Sequence, residues 1–371
     1  VIAVGKAAYT MAKTCEDTIG SLIHKGLIIT KYGHVRSALP HFECIEAGHP
    51  IPDENSYRAS ERAIAITRDL SQNDLVLFLI SGGASALFEK PLIPEEKMAA
   101  LTEDLLRSGA DITEMNTVRK HLSSVKGGRF AQLCAPAHVH SIILSDVLGN
   151  DPSAIGSGPT YPDQSTSEEA VAILEKYGIR PDGDTLAMLL HETPKTLQNV
   201  TFKIIGDVTI LCNAAQEAAA SLGYGTIVLT DCLNCEAKDA GSFFSSIAKT
   251  YAGSRKSLAV IAGGETVVHV TGSGKGGRNQ EMALSCAEGI SGLSDVCFFS
   301  VGSDGTDGPT DAAGGIVDGQ TKEKLEKEGF RIHEVLKDND AYHALFAVQG
   351  LIVTGATGTN VNDLTVLLIK R

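Results

Sequence analysis

Leu75-Val76-Leu77-Phe78-Leu79-Ile80, followed at once by Ser81-Gly82-Gly83-Ala84-Ser85-Ala86-Leu87, is the stretch on which the fold turns. An unbroken apolar run of this length is expected of a central parallel strand covered on both faces. It is far too short to span a bilayer. Small residues at the carboxyl end of a buried strand let backbone N–H groups come close to a ligand. The pattern is not G-x-S-x-G, so it predicts no nucleophilic-serine elbow.

Working upstream, Val1–Val4 reads as a short buried strand that turns through Gly5-Lys6 into a helix. Met11, Cys15 and Ile19 give that helix its apolar stripe. Lys6 stands at the helix N-terminus, where a cation opposes the dipole, so local stability does not account for it. Gly26–Thr30 and Cys44–Ala47 are further strands, and the turn His49-Pro50-Ile51-Pro52-Asp53 leads into a helix. Downstream, Pro94 to Ser108 is helical by pattern, with Met98, Leu101 and Leu105 on one face and Gly109 as its stop. Arg119, Lys120, Lys126 and Arg129 place four cations within eleven residues, interrupted by Gly127-Gly128. Val139–Leu144 is another buried strand, ending in Ser145-Asp146-Val147 and a loop rich in Gly, Pro, Ser and Asp. Strand and helix alternate throughout, which predicts a parallel α/β sheet.

The pattern lapses near Asn199, and the predicted domains are 1–199 and 200–371. The second begins with a strand at Phe202–Ile205 and continues through strands at Thr226–Leu229 and Leu258–Ala262. Gly263-Gly264-Glu265 predicts a hairpin turn into a strand over Thr266–Thr271, making this smaller sheet mixed. Gly272, Gly274 and Gly277 then satisfy G-x-G-x-x-G, with Lys275 and Arg278 beside them. Two cations next to bare backbone N–H groups suit a phosphate chain. A dinucleotide site is disfavoured: a hairpin partner is wrong for a βαβ unit, and the nearest strand-end acid, Asp304, comes late. Walker A is absent. Asp304, Asp307 and Asp311 lie on a Gly/Pro loop, where they can serve a Mg²⁺ site or ordinary Asx turns.

Composition bounds the function. The chain has 371 residues, enough for two cores, and 43% hydrophobic with 21% charged residues is typical of a soluble globular protein. A net charge of −13 argues against nucleic acid as partner. Eight scattered cysteines suit reduced thiols in a cytoplasmic enzyme. Cys232 and Cys235 form a C-x-x-C with nothing nearby to complete a zinc site. The first residues already form a strand with no charged region before them, so no signal peptide is read and the native chain is expected to extend upstream of Val1.

Several long motifs carry a resemblance to the type II glycerate kinase family. They are Val4-Gly5-Lys6-Ala7-Ala8, Gly48-His49-Pro50-Ile51-Pro52-Asp53-Glu54-Asn55, Asn116-Thr117-Val118-Arg119-Lys120-His121-Leu122, Lys126-Gly127-Gly128-Arg129 and Gly156-Ser157-Gly158-Pro159-Thr160. Residues 263–281, 304–315 and the closing Gly358-Thr359-Asn360-Val361-Asn362-Asp363 are similar to that family's C-terminal MOFRL domain. The resemblance spans nearly the whole chain, with Ala84 where a third glycine is usual and Asn150-Asp151 replacing a Gly-Asp pair. It implies a Rossmann-like N-terminal domain and a smaller mixed-sheet α/β domain around a cleft, and ATP- and Mg²⁺-dependent phosphorylation of D-glycerate, usually to 2-phosphoglycerate. Lys6 and Arg278 match the family's essential lysine and arginine. Ser81, Gly82, Gly83, Ser85, Arg119, Lys126, Arg129, Lys275, Asn279 and Asn360 are the expected substrate and phosphate ligands. Asp146, Asp304 and Asp307 are the candidate metal ligands. The rival activity is an NAD(P)H-dependent hydroxypyruvate reductase, and a non-catalytic sugar-phosphate-binding module is the non-enzymatic alternative. Monomer and homo-oligomer stay open.

Overall fold

A computed structural model describes residues 1–371, and the chain divides into two compact units, Val1–Ile205 and Gly206–Arg371. The first unit is built on β1 (Ile2–Val4), β2 (Gly26–Lys31), β3 (Phe42–Ala47), β4 (Leu75–Ile80), β5 (His138–Leu144) and β6 (Val200–Gly206). Their order across the sheet is β3-β2-β1-β4-β5-β6, and the pairs from β3 to β5 are parallel. Side chains alternate across a pleated strand. Accordingly Ile2, Val4, Leu27, Ile29, Val76, Phe78 and Ile80 join one core, and Ala3, Ile28 and Leu79 join the other. The predicted central strand is covered on both faces.

Phe78 on β4 meets Phe88 and Phe130, with ring centroids 5.1–5.7 Å apart within the trio. These rings pack the segment that follows β4 onto the sheet. A separate helical layer, Glu95–Arg107, Ile112–His121, Ser167–Lys176 and Gly183–Leu189, closes over Met98, Leu101, Leu105, Val118, Leu122 and Leu174. Three of its helices start at side-chain caps, from Asp111, Thr166 and Asp182. Asp111 with Glu114 and Thr166 with Glu169 form reciprocal capping boxes.

The second unit holds β7 (Gly225–Leu233), β8 (Leu258–Gly264), β9 (Val296–Gly302), β10 (Gly314–Asp318), β11 (Leu351–Ile352) and β12 (Asp363–Ile369), in the order β11-β10-β9-β12-β8-β7. The sheet is mixed: β7 and β8 are parallel and the other pairs antiparallel. At its centre lies the helix Arg278–Ile290, whose Met282, Ala283, Leu284, Cys286, Ala287 and Ile290 are all buried.

Two expectations are corrected. The strand at 202–205 does not open the second unit. It lies within β6, which flanks β5 in the first sheet. The hairpin at 263–265 does not form either. Beyond β8 the chain makes a single bridge, Glu236 to Val267, and then runs irregularly to the helix at Arg278. Its amides find partners on another loop, described below. No helix is long and apolar enough to cross a membrane.

The Phe trio yields a stability prediction. Phe130 is fully buried, so Phe130→Ala should destabilise by about 3–5 kcal/mol, and Phe130→Leu by much less. Urea midpoints at unchanged m-value would measure this, and equal midpoints for wild type and Phe130→Ala would refute the packing.

Candidate active site

In the first sheet β1 lies between β2 and β4, so successive connections leave it in opposite directions. This is the topological switch point, where open α/β sheets bind ligands beyond the strands' carboxyl ends. Val4 pairs with Ile80, which brings Gly5-Lys6 beside Ser81-Gly82. The ladder continues past both strands: Ser81 N–H donates to Val4 O (3.0 Å) and Lys6 N–H to Gly82 O (2.8 Å). Ser81 Oγ accepts from Ala7 N–H at 3.0 Å, and the residue is fully buried. Ser81, expected as a ligand donor, instead clamps the two strand ends together.

Beyond Ser81 the junction continues through buried Gly82 to half-buried Gly83. A Cβ on Gly82 would lie 1.9 Å from Asp146 Oδ2, so only glycine lets that carboxylate rest on the turn. Gly83 has φ +85°, and a Cβ there would meet the His49 ring at 3.0 Å and Lys6 Cγ at 3.3 Å. Lys6, His49 and Asp146, from the ends of β1, β3 and β5, thus ring a two-glycine turn at the end of β4. His49 was not singled out in the sequence. Its signal was position, two residues beyond the third strand of a doubly wound sheet. Burial, reinforced by Lys6, Lys31 and His34, lowers its pKa from 6.5 to about 4, so the ring is neutral near pH 7.

The other predicted cations of this unit have different occupations. Lys126 is completely buried, and its Nζ donates to Ser85 O (2.7 Å) and Phe88 O (3.1 Å). Lys126, expected as a ligand donor, is instead committed to these two carbonyls. Arg119 donates to Ser85 O at 3.3 Å and lies 3.5 Å from Glu89. Arg129 donates to His191 O at 3.1 Å. Ser85 pairs its hydroxyl with Ser157 Oγ at 2.9 Å.

In the second unit, antiparallel β12 begins where β8 and β9 end: Asp363 pairs with both Gly264 and Gly302. Arg278 reaches this edge from the first position of its helix. Its Nε and Nη2 grip Asp363 at 2.5 and 3.0 Å, and Nη1 contacts Glu265 at 2.9 Å. Asp363 is buried while Glu265 is half-buried, so one carboxylate is a fixed anchor and the other keeps partial access to solvent. Burial drives the Asp363 carboxyl up to about 6 against the pull of Arg278. Burial alone would lower the Arg278 pKa, but the two carboxylates outweigh it and raise it. Glu265 and Asp363 stood in the quoted motifs without a role; in the structure they orient Arg278. Asp304 lies at the same edge, its Oδ1 accepting from Thr306 N and Oγ1 at 2.9 Å. Asn360 is half-buried in the loop before β12.

Asp307 and Asn279 are not ligands here. Asp307 is buried and accepts from the backbone N–H groups of Asn279 (3.1 Å) and Gln280 (2.9 Å), and from both their side-chain amides. It therefore supplies the helix cap that Gly277 lacks. Asn279, fully buried, also accepts from Ser300 Oγ at 2.5 Å. No group of three or more His, Cys, Asp or Glu side chains is arranged as a metal cage.

The glycine loop is likewise filled by protein. The N–H groups of Thr271 and Gly272 donate to Asn339 Oδ1, Ser273 to Asp338 Oδ1, Gly274 to Asp338 O and Lys275 to Asp340 Oδ1, all at 2.8–3.0 Å. A Cβ on Gly272, Gly274 or Gly277 would come within 2.4 Å of residues 338, 340 or 307. The spacing that mimics a dinucleotide fingerprint serves close packing against an internal acidic turn. Lys275 Nζ sits 4.2 Å from the Tyr342 ring centroid.

A Rossmann-like sheet with a charged turn at its switch point, joined to a mixed-sheet α/β unit with an oriented arginine, defines a two-domain α/β protein. The family described as "Domain of unknown function (DUF4147)" matches residues 1–189, and the MOFRL family matches residues 258–363. The D-glycerate 2-kinase of Thermotoga maritima is 50% identical over 375 residues, covering 100% of this chain and 90% of that one. The glycerate 2-kinase of Pyrococcus horikoshii is 44% identical over 386 residues, covering 100% and 87%. The crystal structure of a glycerate kinase from Thermotoga maritima superposes with a TM-score of 0.97 at 51% identity, covering 99% of this chain and 90% of that one. The chain belongs to the glycerate kinase family that pairs these two domains.

The Lys6–His49 contact is open to direct measurement. Between pH 6.5 and about 4 the unfolded chain binds a proton on this histidine that the folded protein does not. Stability therefore falls as pH drops through that window, and this histidine adds no pH dependence above it. NMR should show His49 titrating near 4, and Lys6→Met should move it upward by removing a repulsive neighbour. An ordinary value in wild type, or no movement in the variant, would contradict the arrangement.

Proposed function

We propose that this chain transfers the γ-phosphoryl group of ATP to the 2-hydroxyl of D-glycerate, giving 2-phosphoglycerate. The observation that carries this reading is the likeness to the Thermotoga maritima D-glycerate 2-kinase, which runs through the whole chain at half of all positions. The local chemistry is consistent with it. Phosphoryl transfer asks a protein for positioning and for cations on the transferring group. Lys6 offers an ammonium beside a glycine turn that a phosphate can approach closely, and Arg278 offers the N–H groups not engaged by Asp363 and Glu265. Lys6 and Arg278 are each assigned a role in stabilising phosphate charge. Arg119 and Ser85, next to the glycine turn, are assigned to the glycerate carboxylate, and Asn360 and Lys275 to the nucleotide phosphates.

Hard carboxylate oxygens fit Mg²⁺, which keeps waters and phosphates among its ligands and takes only one or two acids from the protein. Asp146 on the glycine turn and Asp304 at the end of β9 suit that role. Asp307 does not, because four N–H groups already occupy its carboxylate. When bound, the ion would neutralise phosphate charge.

The reductase alternative loses its main support once the G-x-G-x-x-G amides are accounted for within the protein. Incubation with D-glycerate, ATP and Mg²⁺ should release ADP, with the product identified as the 2-phosphate by NMR. Hydroxypyruvate with NADH should give no absorbance change. Lys6→Ala and Arg278→Ala should each lower kcat by about 10²-fold or more. Near-normal turnover in either variant would remove that residue from the mechanism. Ligand binding without turnover in wild type would favour a non-catalytic module instead.

A further inference from the structure

We infer that Lys126 and Glu89 are positioning residues that hold the glycine turn of the first unit in its working shape without touching substrate. This rests on the reading above that the Gly82-Gly83 turn beside Lys6 is where phosphoryl transfer occurs. The short helix Ala84–Leu87 follows that turn directly and is a single turn long. The carbonyls of Ser85 and Phe88 lie beyond what so short a ladder can satisfy. Lys126 answers both, with Nζ at 2.7 Å from Ser85 O and 3.1 Å from Phe88 O. Its third neighbour is Glu89 Oε2 at 3.5 Å, an ion-pair contact rather than a hydrogen bond, in a place water does not reach.

Glu89 is almost wholly buried and is itself held from several sides. Ser123 Oγ donates to Oε1 at 2.5 Å and the Lys90 N–H donates at 3.0 Å. Arg119 Nη2 bridges the group, 3.3 Å from Ser85 O and 3.5 Å from Glu89 Oε2. Tyr57, from the helix Glu54–Ile66, feels the charges of both Glu89 and Arg119. Lys126 is aimed inward by the residues after it. Gly127 and Gly128 take φ +56° and +81°, and their N–H groups bind Ser157 O and Gly158 O. Ser157 also bonds Ser85, so the glycine pair, the lysine and the 85–88 segment form one closed circuit.

This circuit is two residues from Gly83, whose Cα faces Lys6 and His49. Its charge is two cations against one carboxylate. Burial, helped by Arg119 and opposed by Glu89, lowers the Lys126 pKa to about 8. Above that pH the neutral amine keeps two N–H donors but loses the charge that pairs with Glu89, so the turn loses its ionic tie to that carboxylate. Catalysis that depends on the turn then acquires an alkaline limb whose midpoint is set by Lys126. Because Glu89 raises the Lys126 pKa, Glu89→Gln moves the limb to lower pH. Lys126→Arg removes it, since a guanidinium stays charged throughout the range.

The test records kcat and KM for ATP and glycerate from pH 6 to 10 in wild type, Glu89→Gln, Lys126→Arg and Lys126→Met, alongside thermal melts. The expected pattern is a wild-type kcat limb near 8, a lower midpoint in Glu89→Gln, and a flat alkaline side in Lys126→Arg. Lys126→Met should lose about 10²-fold in kcat with smaller changes in KM, as misplacement of a catalytic turn does. Where Lys126→Met fails to fold, the other two variants carry the test. Selectively ¹⁵N-glycine-labelled protein gives a readout that needs no activity: the Gly82 and Gly83 amides should shift with the same midpoint, and Glu89→Gln should lower it. If glycerate is not phosphorylated but these amides titrate as stated, the assigned reaction fails and the positioning circuit stands. If the amides ignore pH, or the limb survives unchanged in Glu89→Gln and Lys126→Arg, the inference is overturned.

Discussion

The constraint on which the first unit depends is the continuation of the β1–β4 ladder beyond the ends of both strands. Two backbone bonds, Ser81 to Val4 and Lys6 to Gly82, carry strand pairing into what would otherwise be loop. They fix Lys6 at the sheet's switch point without help from its side chain. Everything else at that site follows from what this pairing leaves room for. Asp146 approaches because Gly82 has no Cβ, and His49 and Lys6 approach Gly83 for the same reason. A sheet with one tight backbone splice therefore positions three side chains from three separate strands.

The second unit applies a related rule with carboxylates inside the protein. Helix starts and glycine loops present unpaired N–H groups that attract anions. Here those groups are already met: Asp307 covers the start of the helix at Arg278, and residues 338–340 cover five successive amides of the preceding loop. The outcome is rigidity rather than ligand capacity. Arg278 enters its helix from a loop pinned along its length, and Asp363 then sets the plane of the guanidinium.

These features explain which parts of the structure could be read from the sequence. The parallel sheet and the strand-end placement of Lys6 and Asp146 follow from local pattern, because apolar runs and small-residue turns declare themselves within a few positions. The second sheet is mixed as expected, but through β12 rather than the expected hairpin. The failures are non-local. Nothing near Ser81 announces that its hydroxyl will meet Ala7. Nothing near Lys126 announces that two carbonyls and a carboxylate from residues 85–89 will enclose it. Nothing near Gly272 announces an acidic turn nearly seventy residues later. The strand at 202–205 was assigned to the wrong sheet for the same reason, since an isolated strand does not state its partner. Family resemblance located Lys6 and Arg278, yet it gave no hint that Glu265 and Asp363 hold the arginine.

Charge counting sharpens what the two clusters can do. Lys6, neutral His49 and Asp146 sum to zero, and Arg278 with Glu265 and Asp363 sums to −1 at pH above the Asp363 transition. The chain as a whole carries −13. Neither cluster is a pool of positive charge that would retain a polyphosphate by attraction alone. Affinity for such a ligand has to come from directed N–H donors held in fixed geometry, and from cations that travel with the ligand. That division suits a catalyst: a strongly cationic site would bind triphosphate and product alike, whereas oriented donors favour the geometry in which charge is moving. It also accounts for the amount of structure around each cation. In the proposed reaction Lys6 and Arg278 act through where they point, which is why the backbone splice, the capping aspartate and the buried anchor at Asp363 matter as much as the charges do.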